Sequence, residues 1–132
     1  MLFTGSAASL VITENQNFGG TSSSRKEIVV LERKFLLNDK TLSFNYDMFI
    51  SQLATFVDMS ALKKYSDQLL NEEKILSIER LVGIDNFTLK INFDSLNSYN
   101  QYRAYVEKLV NVEKMTQCSY LVRDSIYSIA SV

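Results

Sequence analysis

Phe87-Thr88-Leu89-Lys90-Ile91-Asn92-Phe93 alternates apolar and polar side chains at every step. In an extended chain Phe87, Leu89, Ile91 and Phe93 share one side, and Thr88, Lys90 and Asn92 the other. A helix would scatter the four large apolar groups around its circumference. The stretch therefore predicts a strand with one buried and one wet face. Such a row needs a covering layer, and the next stretch supplies one. Ser98 and Gln101 match a capping box. Tyr99, Tyr102, Val106, Leu109 and Val110 recur at helical spacing, which predicts a helix over 98–110, with Arg103 and Glu107 spaced to pair on its outer side.

The rest of the chain divides by period. Ala8, Leu10 and Ile12 alternate with polar or small neighbours, predicting a first strand near 7–13. Residues 14–25, ENQNFGGTSSSR, offer little to bury and read as an exposed loop. A second strand starts at Ile28 and runs to Leu37, with Phe35 and Leu37 inward. Asn38-Asp39-Lys40 is turn chemistry, and Leu42 and Phe44 make a short third strand, closing a hairpin. Asn45 can cap a helix with Asp47 in its first turn. Tyr46, Phe49, Ile50, Leu53, Phe56 and Val57 follow helical spacing. Asp58-Met59-Ser60 interrupts the stripe before Leu62, Tyr65 and Leu69 resume it, so one kinked helix or two short ones end near Asn71. A strand over 75–83 and a tight return at Gly83 to Asn86 lead into the alternating stretch. After Asn111, Cys118, Tyr120 and Val122 alternate, Arg123-Asp124-Ser125 turns, and a last strand carries Tyr127 and Ile129 on one side.

These elements predict one domain over 1–132, with strands and a loop in 1–44 and an α+β core in 45–132. From residue 46 the order is helix, two strands, helix, two strands. That order suggests an antiparallel sheet with two helices on one face, related to ferredoxin-like folds, and an N-terminal hairpin region that extends or flanks it.

Composition removes several function classes. The chain has no histidine, one cysteine and no proline. Ser-His and Cys-His nucleophiles are excluded within it, as are zinc sites built from Cys and His. Cys118 can form no internal disulfide, fits a reducing compartment and reads as a small core residue. A net charge of −1 marks no basic surface for nucleic acid or anionic lipid. No apolar run reaches the length of a membrane span. Met1 to Ile12 lacks the basic start of a secretory signal and reads as an ordinary strand.

The remaining candidates are weighed against plainer readings. Asp67, Glu72, Glu73 and Glu79 cluster in sequence without a calcium-loop pattern, which suits a solvated helix end. Phe18 to Lys26 has glycines and serines but lacks the ending of a phosphate-binding loop. Tyr99, Tyr102, Arg103 and Tyr105 are the residues proposed for an interaction surface, because aromatics and Arg recur at binding hot spots. Their spacing also suits a core face with Tyr105 at its rim. The wet face of the central strand carries Thr88, Lys90 and Asn92 and no base-stacking aromatic, which argues against a nucleic-acid partner.

The order of elements over 53–132 resembles the soluble domain of the inner-membrane alignment proteins of type IV pilus and type II secretion machines. So do the stretch 87–93, Ser98-Tyr99, Tyr102 to Leu109, and Val112. Those proteins place a membrane helix and a coiled coil before the domain, where residues 1–44 here read as strands and a loop. The resemblance implies a non-catalytic scaffold that pairs with a copy of itself or a relative. The expectation is therefore a non-enzymatic interaction or assembly module, of secretion, pilus, viral or phage type, with a protein partner and no cofactor, metal or small-molecule substrate. The alternative is a small single-stranded nucleic-acid-binding domain.

Overall fold

A computed structural model describes residues 11–15, in their backbone, and residues 27–130. The strands are β1 (Val11–Asn15), β2 (Glu27–Leu37), β3 (Ile75–Val82), β4 (Asn86–Phe93) and β5 (Tyr120–Ala130). The helices are α1 (Tyr46–Leu53), α2 (Met59–Asn71), α3 (Leu96–Lys108) and the single turn α4 (Val112–Met115). The strands form one sheet in the order β1-β5-β2-β4-β3. The four strands β5-β2-β4-β3 are antiparallel throughout, and β1 adds in parallel to the outer edge of β5. The fold is α+β, as expected from the sequence.

The alternating stretch behaves as its pattern requires. Phe87, Ile91 and Phe93 are buried at 5%, 1% and 0% exposure, while Thr88, Lys90 and Asn92 take the other face. The ladder register carries that face across the sheet. Val29, Leu31 and Phe35 of β2 stand opposite Phe93, Ile91 and Phe87 of β4, and Leu31, Phe35 and Leu37 stand opposite Ile126, Val122 and Tyr120 of β5. Phe49, Leu53, Leu69, Tyr99, Tyr102, Val106 and Met115 from the helices join these side chains in one hydrophobic cluster. Aromatic rings fill its centre: Phe49 lies 4.9 Å from both Phe35 and Tyr120, the latter edge-on.

Several expectations are corrected. The second strand does not flank the sheet. β2 is central, paired along its length to both β4 and β5. Eleven residues with five inward positions allow that burial. Residues 42 and 44 form no strand. Asp39 accepts hydrogen bonds from the Thr41 N–H and hydroxyl, and the Leu42 N–H bonds to the Asp39 carbonyl, so the chain turns instead. Phe44 packs its ring 5.6 Å from Phe49. The helical stripe of 46–71 splits into two helices, each with its own cap: Asn45 accepts from the Met48 N–H and Asp58 from the Ala61 N–H. α3 starts earlier than its capping box suggested. Ser95 is the cap, and Ser98 lies buried in the first turn, donating its N–H to the Ser95 hydroxyl oxygen. No turn occurs at 123–125, because β5 runs unbroken from Tyr120 to Ala130. The helix-strand-strand repeat therefore fails in its second half, where α3 is followed by α4 and one long strand. The first strand spans 11–15; its expected residues 7–10, and the loop residues 16–25, lie outside the described residues.

Candidate functional site

Among the described residues β3 is an edge strand, hydrogen-bonded to β4 alone. Its ladder is irregular between Ile75 and Ser77, and Leu76 at that irregularity is half exposed. Beyond it the faces alternate. Ile78, Arg80 and Val82 stand opposite Ile91, Leu89 and Phe87 on the core side, and Ser77, Glu79 and Leu81 opposite Asn92, Lys90 and Thr88 on the open side. The middle of the edge, Glu79 and Arg80, is charged and exposed, an arrangement that discourages indiscriminate strand pairing. Its far end is apolar and wet: Leu81 is 54% exposed, Val82 59% and Ile84 96%.

The turn that follows β3 holds Ile84 out. The Gly83 N–H donates to the Asn86 carbonyl at 2.7 Å, and a Cβ at Gly83 would stand 3.0 Å from the Asn86 side-chain oxygen, so the close return favours glycine. Val82 faces Phe87 across the ladder, and the Phe87 ring lies 5.3 Å from Tyr46 at the start of α1. Tyr46 and Met48 are themselves exposed. Val82 and Tyr46 thus meet the same buried ring, Phe87, which links the hairpin end to α1. A single exposed Leu needs no explanation, but a grouped set does.

The residues expected to form an interaction surface divide. Tyr99 and Tyr102 are each 3% exposed and belong to the core; their aromatic spacing served burial. Arg103 is exposed. Tyr105 is half buried, its ring centroid 4.1 Å from that of Tyr65, which joins α3 to α2. A surface role for α3 would fall to Arg103 and Tyr105 alone. The acidic cluster is solvated: Asp67 pairs with Lys63, and Glu72 with Lys74 and Gln68. The stretch Phe18 to Lys26 lies outside the described residues.

Sequence reading missed a polar centre inside the core. Arg33 on β2 stands directly opposite Asp124 on β5. The Arg33 Nε donates to Asp124 Oδ1 and Nη2 to Oδ2, each at 2.7 Å, a two-pronged ion pair with both side chains out of water. Burial pulls the guanidinium pKa down, but the Asp124 charge and hydrogen bonds outweigh it and hold Arg33 above its ordinary value. Truncating either partner would strand the other at a cost of about 3–5 kcal/mol. Nearby, the Tyr99 hydroxyl is buried with no well-formed hydrogen bond among the described residues, and Arg103 lies close enough to oppose the rise that burial gives its pKa. Parity could have exposed the pair. Arg33 falls in the inward series Val29, Leu31, Phe35, Leu37, and Asp124 in the series Tyr120, Val122, Ile126.

Two hollows lie among the described residues. A small apolar hollow of about 10 Å³ lies among Phe35, Phe49, Met115, Cys118 and Tyr120, room for no more than about one water. Burial pushes the Cys118 thiol up, away from the reactive thiolate. An open depression of about 350 Å³ is lined by Asn38, Asp39, Leu42, Cys118 and Ser119. Asp39 there is held below the usual carboxylate range by its bonds from Thr41. Among the described residues no group of His, Cys, Asp and Glu could hold a metal ion, and no helix is long and apolar enough to cross a membrane. No protein-family model matches the chain, and no curated protein or solved structure is significantly similar to it.

Proposed function

We propose that this chain is a non-enzymatic protein–protein interaction module of a larger assembly, docking through the open edge of β3 and the apolar surface at its end. The observation that carries the reading is the run Leu81, Val82 and Ile84, all exposed, at the end of a strand that pairs on one side only among the described residues, with Val82 opposite Phe87, whose ring meets the exposed Tyr46. An incoming strand gains main-chain hydrogen bonds from such an edge, and each buried aliphatic side chain adds about 1.5–3 kcal/mol. We read 27–130 as a ferredoxin-like plan with its helices on one face. β2, β3, β4 and β5 are then its four strands, and β1 is an addition. The likeness of 53–132 to pilus and secretion alignment proteins makes a second copy or a relative the partner to try first.

Light scattering across a concentration series, with pull-down from the native source, tests the reading. Association lost on Val82→Glu or Ile84→Glu, with the fold intact by circular dichroism, supports it. A strict monomer with no partner, or association indifferent to both substitutions, removes it.

One observation favours a second reading, single-stranded nucleic acid on the open face. Lys34 and Arg123 are direct cross-strand neighbours there and both exposed. Like charges placed so cost stability, which a bound phosphate would offset. Oligonucleotide anisotropy at low salt decides: binding that weakens with salt and with Lys34→Ala supports it, and no binding ends it.

A further inference from the structure

We infer that the buried Arg33–Asp124 pair is the device that sets the register of β5. β5 lies between β1 and β2, and its ladder with β2 spans eleven residue pairs. A slip of one residue would turn every side chain to the wrong face and is forbidden by burial alone. A slip of two is not. Along β2 the inward positions are Val29, Leu31, Phe35 and Leu37 around Arg33, and along β5 they are Tyr120, Val122 and Ile126 around Asp124. Shifted by two, apolar pairs persist on either side of the charges: Val29 would meet Ile126 and Phe35 would meet Tyr120 in one direction, and Val29 would meet Ala130 and Leu37 would meet Val122 in the other. The difference is at the centre. Arg33 would face Val122 or Ile126, and Asp124 would face Leu31 or Phe35, leaving two buried charges apart. Among the described residues these are the two charged side chains that are buried. Size mismatch among Val, Ile and Tyr is a smaller penalty than two stranded charges. Buried ion pairs contribute little net stability against apolar replacements of similar volume, so a pair retained here acts through specificity.

Cross-strand disulfide trapping reads register directly. In a Cys118→Ser background, Lys34→Cys is combined with Arg123→Cys for the native register, or with Leu121→Cys or Ser125→Cys for the two slipped ones. With the ion pair intact, the native cross-link dominates and the slipped ones are traces. With Arg33→Met and Asp124→Leu together, the slipped products rise to yields comparable with the native one while a folded circular-dichroism spectrum persists. A double variant that is folded but forms the native cross-link alone, or that does not fold, overturns the inference. A second arm moves the acid: with Asp124→Val and Val122→Asp, β5 is expected to follow, and the dominant cross-link passes from position 123 to position 121. A cross-link that stays at 123, or a chain that unfolds, counts against the register role.

Discussion

Glu73 has φ of 59°, a left-handed backbone that L side chains adopt at a cost of about 1–2 kcal/mol. It sits just past α2, where the Lys74 N–H reaches back to the Leu69 carbonyl and the Glu73 N–H to that of Leu70, closing the helix end. Glycine is the usual occupant of such a position, and a carboxylate there also opposes the helix dipole. Glu73→Gly is expected to raise stability by about 0.5–1 kcal/mol, after allowing for the added freedom of glycine in the unfolded chain. A urea titration with unchanged slope and a higher midpoint is the expected result; a lower midpoint would show that the side chain contributes more than its backbone costs. The same local reasoning explains why Arg33 and Asp124 escaped sequence reading. Arg-Asp-Ser at 123–125 is a set of turn formers, and only the distant partner on β2 makes an extended, buried Asp124 favourable.

At the scale of elements, what was legible followed period and caps. The 87–93 strand, the interruption of the helical stripe at Asp58 and the turn at Gly83 were read from residues that act locally, while the sequence leaves open the choice between a kinked helix and two short ones. What was illegible depended on long-range choices. Ser95 and Ser98 can both begin a helix; Asp94 and Ser95 bond the Ser98 hydroxyl and draw it inside. Leu42 and Phe44 alternate like a strand but find no ladder partner, and Phe44 joins the aromatic core instead. Of the proposed interaction residues, Tyr99 and Tyr102 were shared by two explanations that spacing alone could not separate. The exposed edge of β3 was invisible because edge position is a property of strand order. The α1–α2 junction supplies a prediction. Asp58 caps α2, and its own N–H donates to the Leu109 carbonyl at 3.2 Å, while the Asn111 N–H donates to the Phe56 carbonyl at 2.7 Å. Asp58→Ala is expected to cost about 1 kcal/mol. Amide exchange should quicken in the first turn of α2 more than in α1; equal exchange in both helices would place the cap's contribution elsewhere.

For the whole molecule, the core's dependence on buried tyrosines fixes how stability responds to alkali. Burial raises Tyr99 and Tyr102 above the ordinary phenol range, against the downward pull of the Arg33 charge. Burial likewise raises Tyr65, Tyr120 and Tyr127, and for Tyr127 the hydroxyl bond to Glu32 acts in the same direction. A raised folded-state pKa means that the unfolded chain releases its phenol protons first as pH climbs. The stabilisation is complete below the unfolded value of about 10 and is lost progressively above it. Tyr99 and Tyr102 lie deepest, so ionising either within the folded state would leave a phenolate inside the cluster that joins sheet to α3. Unfolding is the easier route. In a spectrophotometric titration, the tyrosinate of these buried rings should therefore form late, in a phase steeper than a single-proton titration and coincident with loss of helical circular dichroism. Tyr102→Phe should keep the fold and reduce that phase, because it removes a proton that the unfolded chain would shed. A single phase near the ordinary value with the helical signal intact would mean that solvent reaches these hydroxyls in the folded protein, and that α3 is not sealed against the sheet.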